Sequence, residues 1–420
     1  MKLALVTAFP PSRKGLNEYG YHVADELRRH PGLELTILAD YLPDPQPELP
    51  EFSVVRCWGF NHLSNPISLL RAIRRLKLDI VWYNIGLASF GGKPLPAFFG
   101  LTVPALTRLS SCYTHVTLHQ LFETVNLADA GVKSPILYRA AGHVATHLLL
   151  SANSLSVLLP AYHRTLRDKY GRGAVSVRHH GIFASCPEQP DLSVRGNPVQ
   201  RVLAFGKWGT YKRLELLIEA FEQAAAKSAP VELIIAGGDH PKTPGYVQSV
   251  AERVRDNPLI RVVGYVPEES IPELFRTASL AVMPYTSSAG SSGVAHLACQ
   301  YGLPILASDI EDFRELAEYE FVSMELFTPN DVESLASRLV SLLHSPERLA
   351  EMARQNFSAA LQMSMPQVIR QYIRSFDVQH RLRMLRTFSK LRNSSRWMPT
   401  RHLMARRVER KLQSWRSSGL

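Results

Sequence analysis

Cysteine is scarce in this chain, with four in 420 residues: Cys57, Cys112, Cys186 and Cys299. They are scattered and make neither a CxxC pair nor a disulfide framework, which excludes a structural zinc and fits a reducing, cytoplasmic setting. Uninterrupted apolar runs of the about 18 residues needed to span a bilayer are also missing. The opening Met1-Lys2-Leu3-Ala4-Leu5-Val6-Thr7-Ala8 is like the start of a signal peptide, but Pro10-Pro11 ends it too soon. It reads better as a first β-strand. No His, Asp and Glu residues recur with metal-ligand spacing, so no metal is expected. Acidic residues are nearly absent from residues 378–420, where twelve Lys/Arg face one acid, Glu409. That stretch carries the whole net charge of +11, and the remainder is neutral. The basicity therefore speaks of the tail's partner and not of the body.

What is present is a globular composition, 45% hydrophobic, long enough for two domains. Apolar strand-like runs alternate with helical patterns. In the first half they fall at residues 3–7, 34–39, 80–84, 115–119, 147–151 and 176–179. In the second half they fall at 201–205, 232–236, 261–266, 280–284 and 304–307. Continuous apolar strands separated by helices predict parallel sheets covered on both faces. The expected fold is α/β, with two facing doubly wound Rossmann-like domains. The first is placed at 1–182, a Pro- and Gly-rich linker at 183–200, and the second at 201–360. Ligands of such sheets bind at the carboxyl ends of strands, here in the cleft between the domains.

Two segments of the second half carry chemistry. In the first, a strand ends at Gly206 and is followed by Lys207 and Lys212, before an amphipathic helix. Both lysines are expected on exposed loop positions, gripping a diphosphate from one side. In the second, Gly290, Ser291, Ser292, Gly293 and Val294 follow the run at 280–284 and open a helix. Free amides at a helix start, beside the positive end of its dipole, suit a phosphate.

These segments resemble the retaining glycosyltransferases of family 4 (glycosyl transferases group 1), which have the GT-B fold. Gly206-Lys207 and Lys212 before Leu-Leu-Ile-Glu-Ala-Phe are similar to the family's Gly-Arg/Lys…Lys signature. The likeness continues through Ile234-Ile235-Ala236-Gly237-Gly238, Val263-Gly264-Tyr265-Val266, Ala278 to Pro284 and Gly302 to Ser308. In the first half, Val116-Thr117-Leu118-His119 and His180-Gly181-Ile182 match weaker family segments. The resemblance covers about residues 1–377 and ends in a crossover helix, placed at 361–378. It implies a nucleotide-diphosphate sugar as donor substrate, no other cofactor, and a glycan or lipid-linked acceptor in polysaccharide or glycoconjugate synthesis. Lys207 and Lys212 would neutralise the leaving diphosphate, and residues 291–294 would give it their amides. His119 would contact the donor sugar from the first domain. Gly15 and Leu16 fall where the family has its glycine-rich loop, although the usual double glycine is absent.

One departure bears on the donor. The family's two glutamates are replaced by Ala289 and Leu297. The first glutamate contacts the donor sugar and the second the ribose. His296, next to the second position, is assigned to a ribose hydroxyl, although a helix turns it about 100° away. The Ser-Ser-Gly-Val form resembles a minority variant of these transferases, which implies altered donor recognition. A non-catalytic nucleotide-sugar- or glycan-binding homologue is the alternative. An inverting reaction would need a base, for which Glu18, His119 and Glu123 are candidates. Of the other histidines, His179 and His180 end a strand by the cleft, and His115, His143, His147 and His163 read as structural. The tail, 379–420, forms two basic amphipathic stretches, 381–392 and 401–416, separated at Pro399. They are expected to lie on an anionic membrane, making the protein peripheral at the inner membrane face. Packing back onto the first domain and a membrane-associated scaffold are the alternatives, and nucleic acid is not expected.

Overall fold

The computed structural model describes residues 1–44, 46–110, 112–124, 134–171, 174–191, 199–227, 230–240, 243–287, 291–394, 409 and 413. The chain divides into two compact units, Met1–Ile369 and Arg370–Leu420.

The first unit holds two parallel sheets. The seven strands of the first are β1 (Lys2–Val6), β2 (Glu34–Asp40), β3 (Val54–Trp58), β4 (Ile80–Ile85), β5 (Tyr113–Leu118), β6 (Ser154–Val157) and β7 (Val175–Val177). Between them run α1 (Asn17–Arg28), α2 (Asn65–Leu76), α3 (Pro94–Leu101), α4 (Val103–Arg108), α5 (Pro135–Leu150) and α6 (Pro160–Tyr170). The six strands of the second sheet are β8 (Gln200–Phe205), β9 (Val231–Ala236), β10 (Ile260–Gly264), β11 (Leu280–Met283), β12 (Ile305–Ser308) and β13 (Met324–Phe327). Its helices are α7 (Leu214–Ala225), α8 (Tyr246–Arg253), α9 (Ile271–Arg276), α10 (Gly293–Gln300), α11 (Glu311–Tyr319) and α12 (Val332–Leu343). Then follow α13 (Pro346–Gln362) and α14 (Met365–Ser394).

The sheet orders are β3-β2-β1-β4-β5-β6-β7 and β10-β9-β8-β11-β12-β13. Central strands such as β4, β5, β11 and β12 are buried along their whole length, as helices on both faces require. In each sheet the order reverses beside the first strand, so β1 lies between β2 and β4, and β8 between β9 and β11. A crevice opens at such a reversal, at the strands' carboxyl ends. The loops after β8 and β11 are therefore neighbours. The fold is α/β and GT-B-like.

Several local expectations need correction. Residues 147–151 are the last turn of α5 and its cap, not a strand. The strand is β6, whose Ser154 and Ser156 hydroxyls meet the His115 ring at 2.6 and 3.1 Å. Alternating serines hid it from a search for apolar runs. The edge strands β3 and β13 also escaped notice, because edges are half exposed and keep polar residues such as Arg56 and Glu325. The helix starting at Met365 runs on to Ser394, so 381–392 continues an existing element. Most of 401–416 and of the 183–200 linker's middle lies outside the described residues, as do Ala289 and Gly290. No helix among the described residues is long and apolar enough to cross a membrane.

The two sheets of the first unit are clasped by buried polar contacts. Glu315 of α11 accepts the Ala161 amide at the start of α6 at 2.9 Å and also pairs with Arg164. A carboxylate at a helix N-terminus satisfies an orphan amide and the dipole together. Glu320, just past α11, receives His179 from beyond β7 at 3.2 Å and His296 from α10 at 2.7 Å.

Candidate active site

The chain leaves β8 through a backbone-to-backbone contact. A β-carbon built on Gly237 would lie 1.8 Å from the Gly206 carbonyl oxygen, and both glycines hold positive φ, 111° and 147°. Only glycine fits there. The indole of Trp208, fully buried, then pins the loop by donating to the Ala236 carbonyl at 2.9 Å. A short 3-10 turn, Thr210–Lys212, brings Lys212 back over the strand end.

The structure places the two lysines differently. Lys207 is exposed, as expected, but Lys212 is only 8% exposed. Its ammonium faces the rings of Tyr285 at 4.7 Å and Trp208 at 5.5 Å. Among the described residues no carboxylate or hydrogen-bond acceptor holds it. Burial, and then the charge of Lys207, push its pKa down to about 8. An unpaired buried cation is costly and is relieved by an anion.

The second wall follows β11. Ser292 caps α10, its hydroxyl accepting the Ala295 amide at 3.3 Å. Gly293 and Val294 form the first turn, whose amides have no acceptor within the helix. The Ser291 hydroxyl is buried without a partner among the described residues. Gly293 is exposed, has open space around it and needs no positive φ, so no forbidden backbone angle guards this position. Sequence reasoning missed Tyr285. It is 3% exposed, and its hydroxyl too is buried without a partner among the described residues. Burial raises its pKa, so it remains a protonated donor. Lys212 Nζ, Tyr285 Oη and Val294 Cγ2 lie 2.7, 3.8 and 3.7 Å from a β-carbon built on Gly206. A cation and a hydroxyl thus converge on one small space beside a helix start. The readable signal was the aromatic immediately after Pro284, at the carboxyl end of a central strand.

From the first sheet, Gly15 (φ 55°) and Leu16 precede α1. Glu18 in its first turn has a pKa raised by burial and then by Glu268, while Lys207 draws it partly back. Those two partners belong to the second sheet's half, so Glu18 faces across the cleft. Ligand atoms of Glu18, His22 and Glu268 lie within 4.8 Å of one another. This group is assembled only by the fold, and two of its three members are exposed. Sequence spacing did not reveal it. Glu123 instead accepts from Tyr170.

His119 is buried at the end of β5, its Nε2 2.7 Å from Asn84 Oδ1. Burial and then His180 hold its pKa well below the usual value, so the ring is neutral. The Tyr19 ring packs on it at 4.8 Å. His296 does not reach the site. Its Nδ1 meets the Ser292 carbonyl and its Nε2 meets Glu320, each at 2.7 Å, and it is 3% exposed. Both nitrogens are engaged within the protein, which leaves none for a ribose hydroxyl. Burial opposes charge on Glu320, yet His296 and His179 hold its pKa at about 2.

Residues 199–345, which contain both loops, match the family described as glycosyl transferases group 1. That stretch carries the group 1 glycosyl transferase signature. No curated protein matches it at a significant level. Among solved structures, sucrose-phosphate synthase from Thermosynechococcus elongatus superposes with a TM-score of 0.70 at 15% identity, over 90% of this chain and 98% of that one. HepE of Anabaena, in complex with UDP and glucose, gives 0.66 at 17% identity over 90% and 100%. A glycosyltransferase from Rickettsia africae gives 0.64 at 12% identity over 89% and 98%. These likenesses establish the fold, and the fold alone.

Proposed function

We propose that this transferase moves a hexosyl unit from a nucleotide-diphosphate sugar to a glycan or lipid-linked acceptor, with retention, in polysaccharide or glycoconjugate synthesis. The observation that carries the reading is the Lys212 ammonium, buried between two aromatic rings with no counter-charge among the described residues. A diphosphate supplies that charge. Cleavage of the anomeric C–O bond puts negative charge on the leaving diphosphate. Donors already aimed at it stabilise the transition state more than the ground state. Lys212 and the Tyr285 and Ser291 hydroxyls would act from the buried side, Lys207 from the exposed side. The amides of Gly293 and Val294 complete the set. Losing one such donor costs about 10²–10³-fold in rate. With retention the leaving phosphate takes the acceptor's proton, and no protein base is needed. His119 and the loop at Gly15 and Leu16 would border the sugar.

An inverting reading draws on Glu18, whose raised pKa and position across the cleft from Lys207 suit a general base. The anomeric configuration of the product, read by NMR, separates the two.

HepE of Anabaena has been solved with UDP-glucose, so a UDP-hexose is the first donor to try. The test is a thermal-shift panel of UDP-, GDP- and ADP-sugars on the wild type and on Lys212→Met. One donor should raise the wild-type melting temperature, by about 2.7 kcal/mol of stability at a hundred times its Kd. Lys212→Met should lose that shift without melting lower when unliganded. A wild type that responds to no nucleotide sugar overturns the proposal.

A further inference from the structure

The helices α2 to α5 form one layer over the first sheet, with α2 and α5 each packed against α3 and α4. These four helices contain Arg71, Arg74, Arg75, Arg108 and Arg139, and neither Asp nor Glu. A solvated helix layer ordinarily mixes both signs of charge on its outer face. Large apolar side chains stand exposed on the same layer. They are Ile67 on α2, Leu95 and Phe99 on α3, Leu109 after α4, and Ile136 and Leu137 on α5. Leu109 and Ile136 are each 85% exposed. Of the nineteen exposed large hydrophobics among the described residues, nine fall between Leu63 and Val144. Single exposed leucines need no explanation, but a cluster on an acid-free layer does.

We propose that this layer docks on an anionic lipid surface. The apolar tips enter the acyl boundary, and the arginines lie along it with their heads among the phosphates. Two observations select this occupant. The exposed groups are spread over four helices and call for a broad partner that is apolar and negative at once. A second copy of the chain is a poor match, since a two-fold interface would set these arginines against their own copies with no acid between them. Helices α2 and α5 begin at the carboxyl edge of their sheet, so Ile67, Ile136 and Leu137 lie toward the cleft side. A lipid-linked acceptor would then present its head group at the cleft mouth. The inference stands independently of the donor reading.

The test uses the full chain and sedimentation with vesicles of phosphatidylcholine alone or mixed with phosphatidylglycerol. Wild type should bind only the anionic vesicles, more weakly in high salt. Leu95→Ser/Phe99→Ser/Leu137→Ser should lose about 10-fold or more in partitioning, and Arg74→Glu/Arg75→Glu a comparable amount. Melting temperature and the nucleotide-dependent shift should not change, since all five side chains are exposed. Wild type that ignores anionic vesicles overturns the proposal. So do variants that bind as well as wild type, which would assign the contact to residues 379–420. A wild-type dimer that dissociates in the serine variant overturns it too.

Discussion

At the scale of single residues, Lys212 and Tyr285 form a unit in which neither polar group has a hydrogen-bond partner among the described residues. Leaving a buried hydroxyl unpaired costs about 1–3 kcal/mol. Tyr285→Phe should therefore leave the unliganded protein as stable as wild type or slightly more so. Donor affinity should fall at least several-fold, read as a raised KM and a reduced donor-induced thermal shift. A Tyr285→Phe enzyme with unchanged donor affinity would make the hydroxyl a bystander. The lysine adds a pH signature. Burial and the charge of Lys207 push its pKa down to about 8 in the folded chain, from the usual 10.5. Below about 8 both states carry the charge, and its burial opposes folding in full. Between those values the unfolded chain keeps a proton that the folded chain has lost, so stability rises with pH across that window. Denaturant unfolding at pH 7.5 and 9.5 should show this rise in wild type relative to Lys212→Met. Donor affinity should move the opposite way, weakening above about 8 as the ammonium is lost. The sequence singled out both lysines but not the burial of one of them. Exposure depends on Trp208 and Tyr285, which come from two loops 77 positions apart in the chain.

At the scale of elements, the paired turns after β8 and β9 are the least forgiving part of the site. Gly237→Ala would force a methyl into the Gly206 carbonyl at 1.8 Å, on a backbone angle L-residues avoid. It should lower the unfolding free energy by about 3 kcal/mol or more and displace Lys207 and Lys212 together. Gly293→Val is the contrasting case: the space is open, so its effect should fall on donor binding with little loss of melting temperature. If Gly237→Ala melts like wild type, the contact is not what fixes the turn. The parallel core strands were legible because burial on both faces makes them continuously apolar. Where that cause fails the reading failed too: at β6, whose serines serve His115, and at α5, whose final Leu148-Leu149-Leu150 imitates a strand. The turn at Gly206 and Gly237 was legible because backbone geometry requires glycine there, whereas Gly293 has open space and no such constraint.

At the scale of the whole molecule, the Glu320 contacts that join the two halves of the first unit are polar and largely buried, and no motif announced them. Glu320 sits in a short Tyr-Glu-Phe stretch that reads as the frayed end of a helix. Its value appears only when His179 and His296 arrive from elsewhere. Breaking such a buried pair by removing one member costs about 3 kcal/mol or more. Glu320→Gln should show a loss of that order. The pH dependence has two sides. Glu320, held at about 2, contributes stability that is present above its usual range near 4.5 and is lost as pH falls toward 2. His296, raised despite burial by that same carboxylate, contributes below 6.5 and loses its share as pH rises through its elevated value. Wild type should therefore exceed Glu320→Gln most between about pH 4.5 and 6.5, as measured by paired denaturant titrations. An equal gap at pH 3 and pH 6 would count against the ion pair.

Trp208 has one more consequence. It is one of five tryptophans and the only one in residues 199–345. Its indole is sealed from solvent and lies 5.5 Å from the Lys212 ammonium. Neutralising a cation that close to a dry indole shifts the energy of its excited state. The protein thus carries an intrinsic optical reporter beside Lys212, and under the proposed donor reading an anion seated there should register as a change in emission colour without any label.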